Sequence, residues 1–439
     1  MNAATWQNWA GTVTSRPRRV STPRGVDEIA ALVAAAHRDG RRVKAVGAGH
    51  SFSPIAATDD TLVRLDHLTG VPQADVDTGL VTVLAGTSLH ALSAMLAQAG
   101  LAMSNLGDID WQTVAGALST GTHGTGVKHP GLAGQVEALQ FVSADGAVQT
   151  CSATTDPDLF AAARVGLGAL GIITAVTLRC VPAFVLVADE RPMPLGEALA
   201  DLDDLVDAHD HFEFYWFPHT MRTLTKHHDR APAGDARPLS RFRSWLDDEF
   251  LANLVFEWTN RVTTSVPRLT PAVNSVAARA LSARTYADAS HRVFVSPRRV
   301  VFRESEWAVP RAAIPAMLAD IGSWIDRSGE HISFPVEVRF AAQDDIWLST
   351  AHGRETGYVA VHQYHRLPYD RYFRAVSEIA ARYEGRPHWG KIHWLDASAL
   401  RELYPRFDDF RRLRDRLDPG GVFTNPYLDT ILGPPGSPS

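Results

Sequence analysis

The stretch RRVKAVGAGHSFSP, residues 41–54, holds the residue with the clearest chemical potential, His50. A short β-like run ends there in two glycines, and glycine at 47 and 49 lets the backbone take positive φ and approach a ligand closely. The N–H groups of such a loop can converge on an anion such as a pyrophosphate. The loop is therefore either a cofactor cradle or a tight turn with an incidental histidine.

Two other glycine motifs share part of this pattern. A dinucleotide-binding fingerprint needs a third glycine and a helix directly after it, whereas the following residues, SFSPIAATDD, contain Pro54 and lack helical periodicity. A hydrolase nucleophile elbow, G-x-S-x-G, would make Ser51 the nucleophile, but Ser53 occupies the place of its last glycine and no helix follows. A serine hydrolase using Ser51 is thus the alternative from a different functional class.

A second chemical group lies in FPVEVRF, residues 334–340. Glu337 and Arg339 are two residues apart in a β-like run, so both side chains point to the same face. A fixed guanidinium on such a face can stabilise a developing oxyanion without losing its own proton. A solvated ion pair across strands explains the same spacing, and the apolar neighbours Val336 and Val338 do not decide between the two.

A third group lies in RPHWGKIHW, residues 386–394, which contains Lys391. Burial would lower the pKa of this lysine through desolvation, and a neighbouring positive charge would lower it further. Lys391 could then act as a base or as a hydrogen-bond donor. The nearby histidines, His388 and His393 among them, do not place three ligands on one element, so we expect no metal site.

Bulk composition indicates a globular protein with a small ligand. The 439 residues exceed one ordinary core, so we expect two domains. Lys+Arg 43 against Asp+Glu 49 gives a formal charge of -6, which provides no reason to expect nucleic acid or an anionic membrane as partner. Cys151 and Cys180 lack the spacing of a zinc site or a disulfide framework. Without a signal-like or membrane-spanning apolar run, we expect a cytoplasmic protein.

Periodicity predicts alternating helices and strands around the glycine loop. Residues 26–38 place apolar side chains on one helical face and lead into the strand before the loop. Residues 80–86 form a predicted strand, and Thr87 is the predicted N-cap of a helix that ends before Gly100. Residues 105–126 are rich in glycine and threonine and show neither the periodicity of a helix nor the alternation of a strand. A loop of this length inside a domain is usually functional.

The pattern changes after Pro182, which marks a predicted domain boundary. Before it, Asp145 and Gly146 form a predicted hairpin turn, and residues 169–181 form a predicted strand. After it, the predicted elements are aromatic strands at 211–217 and 299–307, a polar linker at 231–240, and helices at about 196–209, 310–327 and 369–384. The tail GPPGSPS, residues 433–439, is predicted to be disordered.

The motifs GHS (49–51), THGTG (122–126), GIIT (171–174) and HWGK (388–391) occur together in this order. With them the chain resembles the FAD-linked oxidases of the vanillyl-alcohol-oxidase type, from about residue 6 to residue 432. Within that group it resembles the sugar-1,4-lactone oxidases, which act on gulonolactone, galactonolactone or arabinonolactone, and the related alditol oxidases. The resemblance implies an α+β fold with an FAD-binding domain of two α/β subdomains (1–182), a substrate cap domain with an antiparallel sheet (183–409) and a C-terminal segment that returns to the FAD domain (410–439).

The same resemblance implies FAD as the cofactor, with its pyrophosphate in the glycine loop. It also implies a covalent bond from His50 to the flavin 8α-methyl group. A neutral imidazole nitrogen is a good nucleophile, and once attached it makes the flavin a stronger oxidant. Small residues elsewhere suit close backbone approach to a flat ring. The residues implied to contact FAD are Gly47, Ala48, Gly49, His50, Ser51, Phe52, Gly107, Asp108, Thr113, Gly116, Thr120, Gly121, Thr122, His123 and Ile173.

The implied reaction is oxidation of an L-gulono-, L-galactono- or D-arabinono-1,4-lactone at C2 by hydride transfer to flavin N5. The implied catalytic residues are Glu337, Arg339 and Lys391, and we expect His362 to contact the substrate. Gly107 matches the position that governs access of dioxygen to the flavin. Reoxidation by dioxygen is therefore expected, with hydrogen peroxide and an ascorbate-type compound as products.

Two alternatives remain within the resemblance, an alditol oxidase and a lactone dehydrogenase that uses an acceptor other than oxygen. Asp108 stands where alditol oxidases have serine, which favours a lactone over an alditol. The expected partners are a small sugar lactone or polyol and dioxygen, without nucleic acid and without a transmembrane segment.

Overall fold

A computed structural model describes residues 5–437 of the chain. Short strands and helices form the N-terminal part of the molecule. The strands of this part are β1 (Trp6–Gln7), β2 (Thr14–Ser15), β3 (Arg19–Ser21), β4 (Val43–Val46), β5 (Thr61–Arg64), β6 (Gln73–Asp75), β7 (Leu80–Leu84), β8 (Leu101–Ala102), β9 (Val136–Val142), β10 (Val148–Ser152), β11 (Ile172–Arg179) and β12 (Val181–Pro182). The helices are α1 (Val26–Arg38), α2 (Leu89–Gln98), α3 (Val114–Ser119) and α4 (Pro157–Ala163).

A three-stranded parallel sheet, in the order β3-β5-β4, positions the glycine loop. Ile29 and Val33 on the buried side of α1 pack against Val43 and Val63 of the sheet, as the predicted helical face requires. Helix α1 has the bounds predicted from its periodicity. Strand β4 ends at Val46, so the loop leaves the carboxyl edge of a parallel sheet, where ligands of α/β proteins commonly bind.

A five-stranded antiparallel sheet, in the order β10-β9-β11-β7-β6, forms the second layer of this part. The predicted turn at Asp145 and Gly146 joins β9 to β10 and is confirmed. The predicted cap of α2 was wrong by one residue, because Ser88 accepts the N–H of Ala91 while the Thr87 hydroxyl donates to a strand carbonyl. The region predicted as an irregular loop at 105–126 contains α3, which is too short and too uniform in residue size to show a helical period.

The C-terminal half is dominated by an eight-stranded antiparallel sheet in the order β16-β13-β15-β14-β18-β19-β17-β20. Its strands are β13 (Val185–Pro194), β14 (His211–Trp216), β15 (Arg222–Ala231), β16 (Arg284–Ala289), β17 (Phe302–Pro310), β18 (Val336–Ala341), β19 (Thr356–Tyr364) and β20 (Arg386–Pro387). The helices are α5 (Leu195–Ala200), α6 (Leu202–Ala208), α7 (Arg241–Ser244), α8 (Phe256–Ser265), α9 (Thr270–Ala280), α10 (Ser290–Phe294), α11 (Ile314–Ser328), α12 (Asp370–Ala381), α13 (Ala397–Leu403), α14 (Phe407–Leu417) and α15 (Pro426–Leu432).

Helices α11 and α12 cover one face of this sheet, where Val336, Val338 and Phe340 of β18 join their apolar core. The residues between them in β18 therefore point to the opposite face, toward the N-terminal part. The strand predicted at 211–217 and the helices predicted at 310–327 and 369–384 appear close to their expected bounds. The helix predicted at about 196–209 is divided at Asp201 into α5 and α6, and the strand predicted at 299–307 spans Phe302–Pro310. The segment after the predicted linker is the main difference, since a π-helical stretch (Trp245–Val255) joins α7 to α8, and α9 follows.

The last helices return to the N-terminal part. Leu400 and Phe407, which the expected boundary at residue 409 assigns to the cap, pack in the core that contains β9 and α4. The tail expected to be disordered differs in residues 433–437, where Arg414 donates to the carbonyl of Gly433 and Arg411 to Ser437; residues 438–439 lie outside the described residues. Within residues 5–437, no helix is long and apolar enough to cross a membrane.

Candidate active site

The glycine loop forms one wall of an open cleft of about 870 Å³, a volume that includes its opening to solvent. Gly49 has φ +72°, and a Cβ added to Gly47 would clash with Oγ1 of Thr113 at the start of α3, so both positions require glycine. Glycines and other residues with small side chains make up most of this wall. Of the residues expected to contact FAD, those that line it are Gly47, Ala48, Gly49, His50, Ser51, Thr113, Gly116, Thr120 and Ile173.

His50 lies where this cleft meets the rest of the site. Its ring stacks on Trp9, with ring centroids 5.5 Å apart. Burial and the positive charge of Lys391 lower the pKa of His50, so the imidazole is neutral at neutral pH. A neutral ring nitrogen is the form that acts as a nucleophile.

A second cavity of about 580 Å³ lies between the N-terminal part and the cap sheet. It brings together residues separated by more than two hundred positions in the sequence. The expected residues that line it are Gly107, Asp108, Thr122, His123, Glu337, Arg339, His362 and Lys391. A third cavity of about 350 Å³, lined by His50, Phe52, Lys391 and neighbouring residues, shares walls with both. The three cavities together form one site between the two halves of the chain.

Two residues do not have the positions that the sequence-based hypotheses require, Gly121 as an FAD contact and Ser51 as a hydrolase nucleophile. Gly121, at φ +76°, turns the chain after α3, and the structure does not place it in the wall of these cavities. Ser51 lines the cleft, but the chain continues from it into a short 3-10 turn, Pro54–Ala56, rather than the helix of a nucleophile elbow. The geometry required by the serine hydrolase alternative is therefore missing at Ser51.

Arg339 is enclosed by carboxylates rather than exposed to solvent. Its Nε lies 2.8 Å from Oε2 of Glu213, and its Nη2 contacts Glu337 and lies 3.5 Å from Oδ1 of Asp108. The hydroxyl of Tyr215 donates to Glu337 at 2.8 Å. Buried charge networks of this kind hold a guanidinium in one orientation, whereas a solvated pair would not.

The charges in this network shift the pKa values of Asp108, Glu213 and Glu337 in different directions. Burial would raise the pKa of Asp108, but Arg339 and Arg298 hold it well below its usual range. The pKa of Glu213 is likewise lowered to about 2, mainly by Arg339 acting against burial. The pKa of Glu337 is raised, because burial and the neighbouring carboxylates outweigh Arg339. Glu337 is consequently the most basic of these three carboxylates.

Lys391 differs from the sequence-based expectation of a lowered pKa. Its Nζ lies 2.5 Å from Oε2 of Glu304 and 3.9 Å from Oε2 of Glu306. Burial would lower the pKa of this amine, but the two carboxylates raise it above the usual value. The paired carboxylates thus favour the ammonium form of Lys391, which suits a hydrogen-bond donor better than a base.

His123, Glu306 and His388 place potential metal-ligand atoms within 4.8 Å of one another. Their hydrogen bonds account for this proximity. Nδ1 of His123 lies 2.8 Å from the carbonyl of Gly124 and its Nε2 lies 2.9 Å from Glu306, so both ring nitrogens face acceptors. Nδ1 of His388 accepts the N–H of Gly390, and burial lowers the pKa of His388 to about 3. These atoms are engaged within the protein.

Sequence reasoning missed several charged groups of the site. Glu213 lies in β14 between Phe212 and Phe214, an alternation like that around Glu337, and this signal could have identified it. Glu304 and Glu306 lie in the polar run RESE of β17, which does not alternate and gave no such signal. Arg298, 2.8 Å from Asp108, lies in a loop without such a pattern.

Lys44 was also missed. It lines the cleft and donates to the carbonyl groups of Gly168 and Phe423 at 3.1 and 3.0 Å. Burial lowers the pKa of Lys44 to about 7, despite the nearby Asp418. The lysine thus joins the sheet that carries the glycine loop to the C-terminal segment.

The glycine-lined cleft and the charged pocket beneath the antiparallel sheet fit the class of FAD-dependent oxidoreductases that combine an FAD-binding domain with a cap domain. Comparison with known proteins agrees with this class. Residues 17–152 match the FAD binding domain model, and residues 176–431 match the D-arabinono-1,4-lactone oxidase model. The chain belongs to the D-arabinono-1,4-lactone oxidase family, as its lactone-oxidising relatives confirm.

Those relatives span the whole chain. The L-gulono-1,4-lactone dehydrogenase of Mycobacterium tuberculosis (strain ATCC 25618 / H37Rv) is 41% identical and covers 98% of this chain and 99% of its own. The L-gulonolactone oxidase of Scyliorhinus torazame is 35% identical, with 97% of each chain covered. Among solved structures, the cholesterol oxidase of B. sterolicum shares the fold at 18% identity, with a TM-score of 0.82 over 98% of this chain and 96% of that chain.

Proposed function

We propose that the protein oxidises the C2 hydroxyl of an aldono-1,4-lactone and passes the electrons to dioxygen. The observation that carries this proposal is the pocket in which Glu337, Arg339 and Lys391 converge beside the glycine-lined cleft. The names of the relatives, gulonolactone and arabinonolactone oxidases and dehydrogenases, support a lactone substrate. We place this reaction in the cytoplasm.

The residues of the cleft fit FAD. Gly47 and Gly49 line the cleft, and the absence of a side chain at Gly47 lets the loop lie against Thr113 at the start of α3, so that the loop and α3 together offer backbone groups for a pyrophosphate. Lys44 and Thr120 line the same cleft. When bound, FAD supplies the acceptor for the hydride that leaves C2.

The side chains of the pocket supply the remaining chemistry. Loss of hydride from the alcohol carbon requires loss of the hydroxyl proton, and Glu337 is the group suited to accept it because its pKa is raised. Arg339 stabilises the negative charge that develops on the oxygen. Lys391 and His362 lie at the same pocket and hold other oxygen atoms of the lactone.

Gly107 supports dioxygen as the acceptor. It lines the pocket, and a Cβ added there would lie 3.1 Å from the carbonyl oxygen of His123, so any larger residue would narrow the space. A lactone dehydrogenase is the second candidate, since the relative from M. tuberculosis carries that name. An alditol substrate is less favoured, because Asp108 adds a charge between Arg298 and Arg339.

The test compares acceptors and substrates. We expect purified holoenzyme to consume oxygen and produce equimolar hydrogen peroxide with gulono-, galactono- or arabinono-1,4-lactone. Gly107→Ala should slow oxygen consumption by about tenfold or more while turnover with an artificial acceptor dye persists, since only the path of oxygen is narrowed. Turnover of the wild type with the dye alone would establish the dehydrogenase instead, and preference for an alditol by a wide margin would contradict the lactone assignment.

A further inference from the structure

Arg298 is a charged residue of the pocket that has no role in the proposed reaction. It lies between α10 and β17 and lines the cavity that contains the proposed catalytic residues. Its Nε and Nη2 donate to Oδ2 of Asp108 at 3.2 and 2.8 Å, and Nη2 lies 3.3 Å from the hydroxyl of Tyr215. Its Nη1 has no acceptor among residues 5–437. Because 34% of the side chain is exposed, the N–H groups of Nη1 are available to a ligand.

A single buried amide holds the backbone on both sides of Arg298. Asn253, in the π-helical stretch (Trp245–Val255), is 5% exposed. Its Nδ2 donates to the carbonyl of Pro297 at 3.0 Å, and its Oδ1 accepts the N–H of Arg299 at 2.8 Å. These bonds fix the chain, because moving it would leave buried polar groups unpaired. Asn253 is therefore a positioning residue for Arg298.

The loop that carries Arg298 is also tied to the N-terminal part of the molecule. The N–H of Ser296 donates to the carbonyl oxygen of Asp108 at 3.1 Å, and the side chains of Arg298 and Asp108 form an ion pair at 2.8 Å. The guanidinium is thus held from two directions. A planar group that is fixed before a ligand arrives loses little conformational entropy on binding, which favours recognition.

The charges of the cavity favour a neutral group as the partner of Arg298. Three cations, Arg298, Arg339 and Lys391, line the cavity together with four carboxylates. Each of the three already contacts a carboxylate at 2.8 Å or less. A carboxylate of a ligand would find every cation of this wall paired and would be repelled by the remaining acids. A hydroxyl group accepts a hydrogen bond without carrying charge and is the better partner.

We propose that Arg298 binds the hydroxyl groups of the side chain at C4 of the lactone and thereby sets the preference of the enzyme among lactones. Arg298 and Arg339 contact different carboxylate oxygens of Asp108, so the two guanidinium groups are neighbours. A lactone whose C2 oxygen lies at Arg339 reaches Arg298 with its side chain. The inference rests on the proposed function, since it concerns the substrate of the same pocket.

The test compares two substrates of the holoenzyme. One is gulono-, galactono- or arabinono-1,4-lactone, and the other is the four-carbon aldono-1,4-lactone of the same ring configuration, which keeps the C2 and C3 hydroxyls but has no side chain at C4. Arg298→Lys keeps a positive charge beside Asp108 and loses the planar fork. We expect kcat/KM for the longer lactone to fall by about tenfold or more, mainly through KM, because a hydrogen bond to a charged group is lost.

The four-carbon lactone does not reach Arg298, so its kcat/KM should change by less than about twofold in Arg298→Lys. Asn253→Ala should affect the longer lactone selectively in the same way, by about fivefold, because the guanidinium is displaced rather than removed. Flavin absorbance and the urea unfolding midpoint of each variant report whether the fold is retained. A purely structural effect of either substitution would lower kcat/KM for both lactones alike.

The matched control is Arg299→Lys, the same substitution at the next residue, whose side chain pairs with Glu249 and does not line the cavity. It should keep the wild-type ratio of the two kcat/KM values. A wild-type ratio in Arg298→Lys would overturn the proposal, whether or not activity falls. Inhibition by the ring-opened aldonate at concentrations near the KM of the lactone would also overturn it, because Arg298 would then serve a carboxylate.

Binding gives the same comparison without turnover. Titration of the holoenzyme with each lactone, followed by flavin absorbance, yields the two dissociation constants, and Arg298→Lys should weaken only the binding of the longer lactone. Lactones that bind to the wild type without being oxidised would contradict the proposed function and leave this comparison decisive for Arg298. A wild type that neither binds nor oxidises a lactone would overturn both proposals.

Discussion

Burial and neighbouring charges decide the chemistry of Lys391 and His50 in this site. Lys391 is an ammonium group because Glu304 and Glu306 face it, although the local sequence gives no sign of either. His50 is a neutral imidazole because burial and the same Lys391 lower its pKa. The sequence identified Lys391 and His50 as candidate site residues. The protonation state of each depends on residues that are distant along the chain.

Replacing Lys391 with methionine should lower kcat by about 100-fold or more, because it removes a fixed charge from the reacting centre. In Glu304→Gln the lysine loses a carboxylate that raises its pKa, so the alkaline loss of activity should move to lower pH. The measurement is the pH profile of kcat/KM for both variants.

Glu330→Gln, which breaks an exposed ion pair with Arg371, is the control and should keep the wild-type profile. An unchanged alkaline limb in Glu304→Gln would mean that Lys391 does not have to be protonated for turnover.

We predict a covalent bond between His50 and the flavin, because a neutral imidazole at the mouth of the cleft is a competent nucleophile. After acid precipitation the yellow colour should stay with the wild-type protein and appear in the supernatant for His50→Ala. Flavin released completely from the wild type would make His50 an ordinary residue of the pocket and leave the FAD assignment intact.

At the level of elements, the register of the cap sheet assembles the pocket. Tyr215 of β14 lies opposite Glu337 of β18, and Glu304 of β17 lies opposite His362 of β19. Because successive side chains of a strand point to opposite faces, the spacing of Glu337 and Arg339 in β18 predicted that they share a face. The pairing of strands far apart in sequence could not be predicted, because the pattern of one strand does not specify its neighbours.

The contact between the glycine loop and α3 yields a prediction at this scale. Gly47→Ala should destabilise the protein by about 1–3 kcal/mol, because its Cβ clashes with Oγ1 of Thr113. Thr113→Ala should cost about 1 kcal/mol through loss of the N-cap hydrogen bond to Gly116. The measurement is denaturant unfolding of both single variants and the double variant.

The double variant should be more stable than the sum of the single effects implies, because Thr113→Ala removes the clashing oxygen. FAD affinity should also fall in Gly47→Ala, because the clash with Thr113 displaces the loop that lines the cleft. Strict additivity of the two effects would show that the loop and α3 do not compete for this space.

At the scale of the whole molecule, buried histidines should make stability sensitive to acid. Burial lowers the pKa of His211 to about 3 and that of His228 and His393 to about 4. The unfolded chain protonates histidine near 6.5, so between pH 6.5 and about 4 it binds more protons than the folded chain. The free energy of unfolding therefore falls as the pH falls through this window.

The expected slope is up to about 1.4 kcal/mol per pH unit for each such histidine. Urea unfolding of the holoenzyme across the window measures it. His211→Phe should make the slope shallower by about one proton, and the exposed His67→Asn should leave it unchanged. Stability that is constant or rises on acidification would contradict this account.

The sequence alone determined the family of fold, the glycine loop with His50, the shared face of Glu337 and Arg339, and helices such as α1, because each rests on a local pattern. Tertiary structure decided the carboxylates around Arg339 and the protonation of Lys391. These features join residues that are distant along the chain, as Glu213 and Arg339 are at a separation of 126 positions. Local sequence patterns indicate which face of a strand or helix is polar. The burial of that face and the protonation of its side chains depend on the residues that the face contacts in the folded protein.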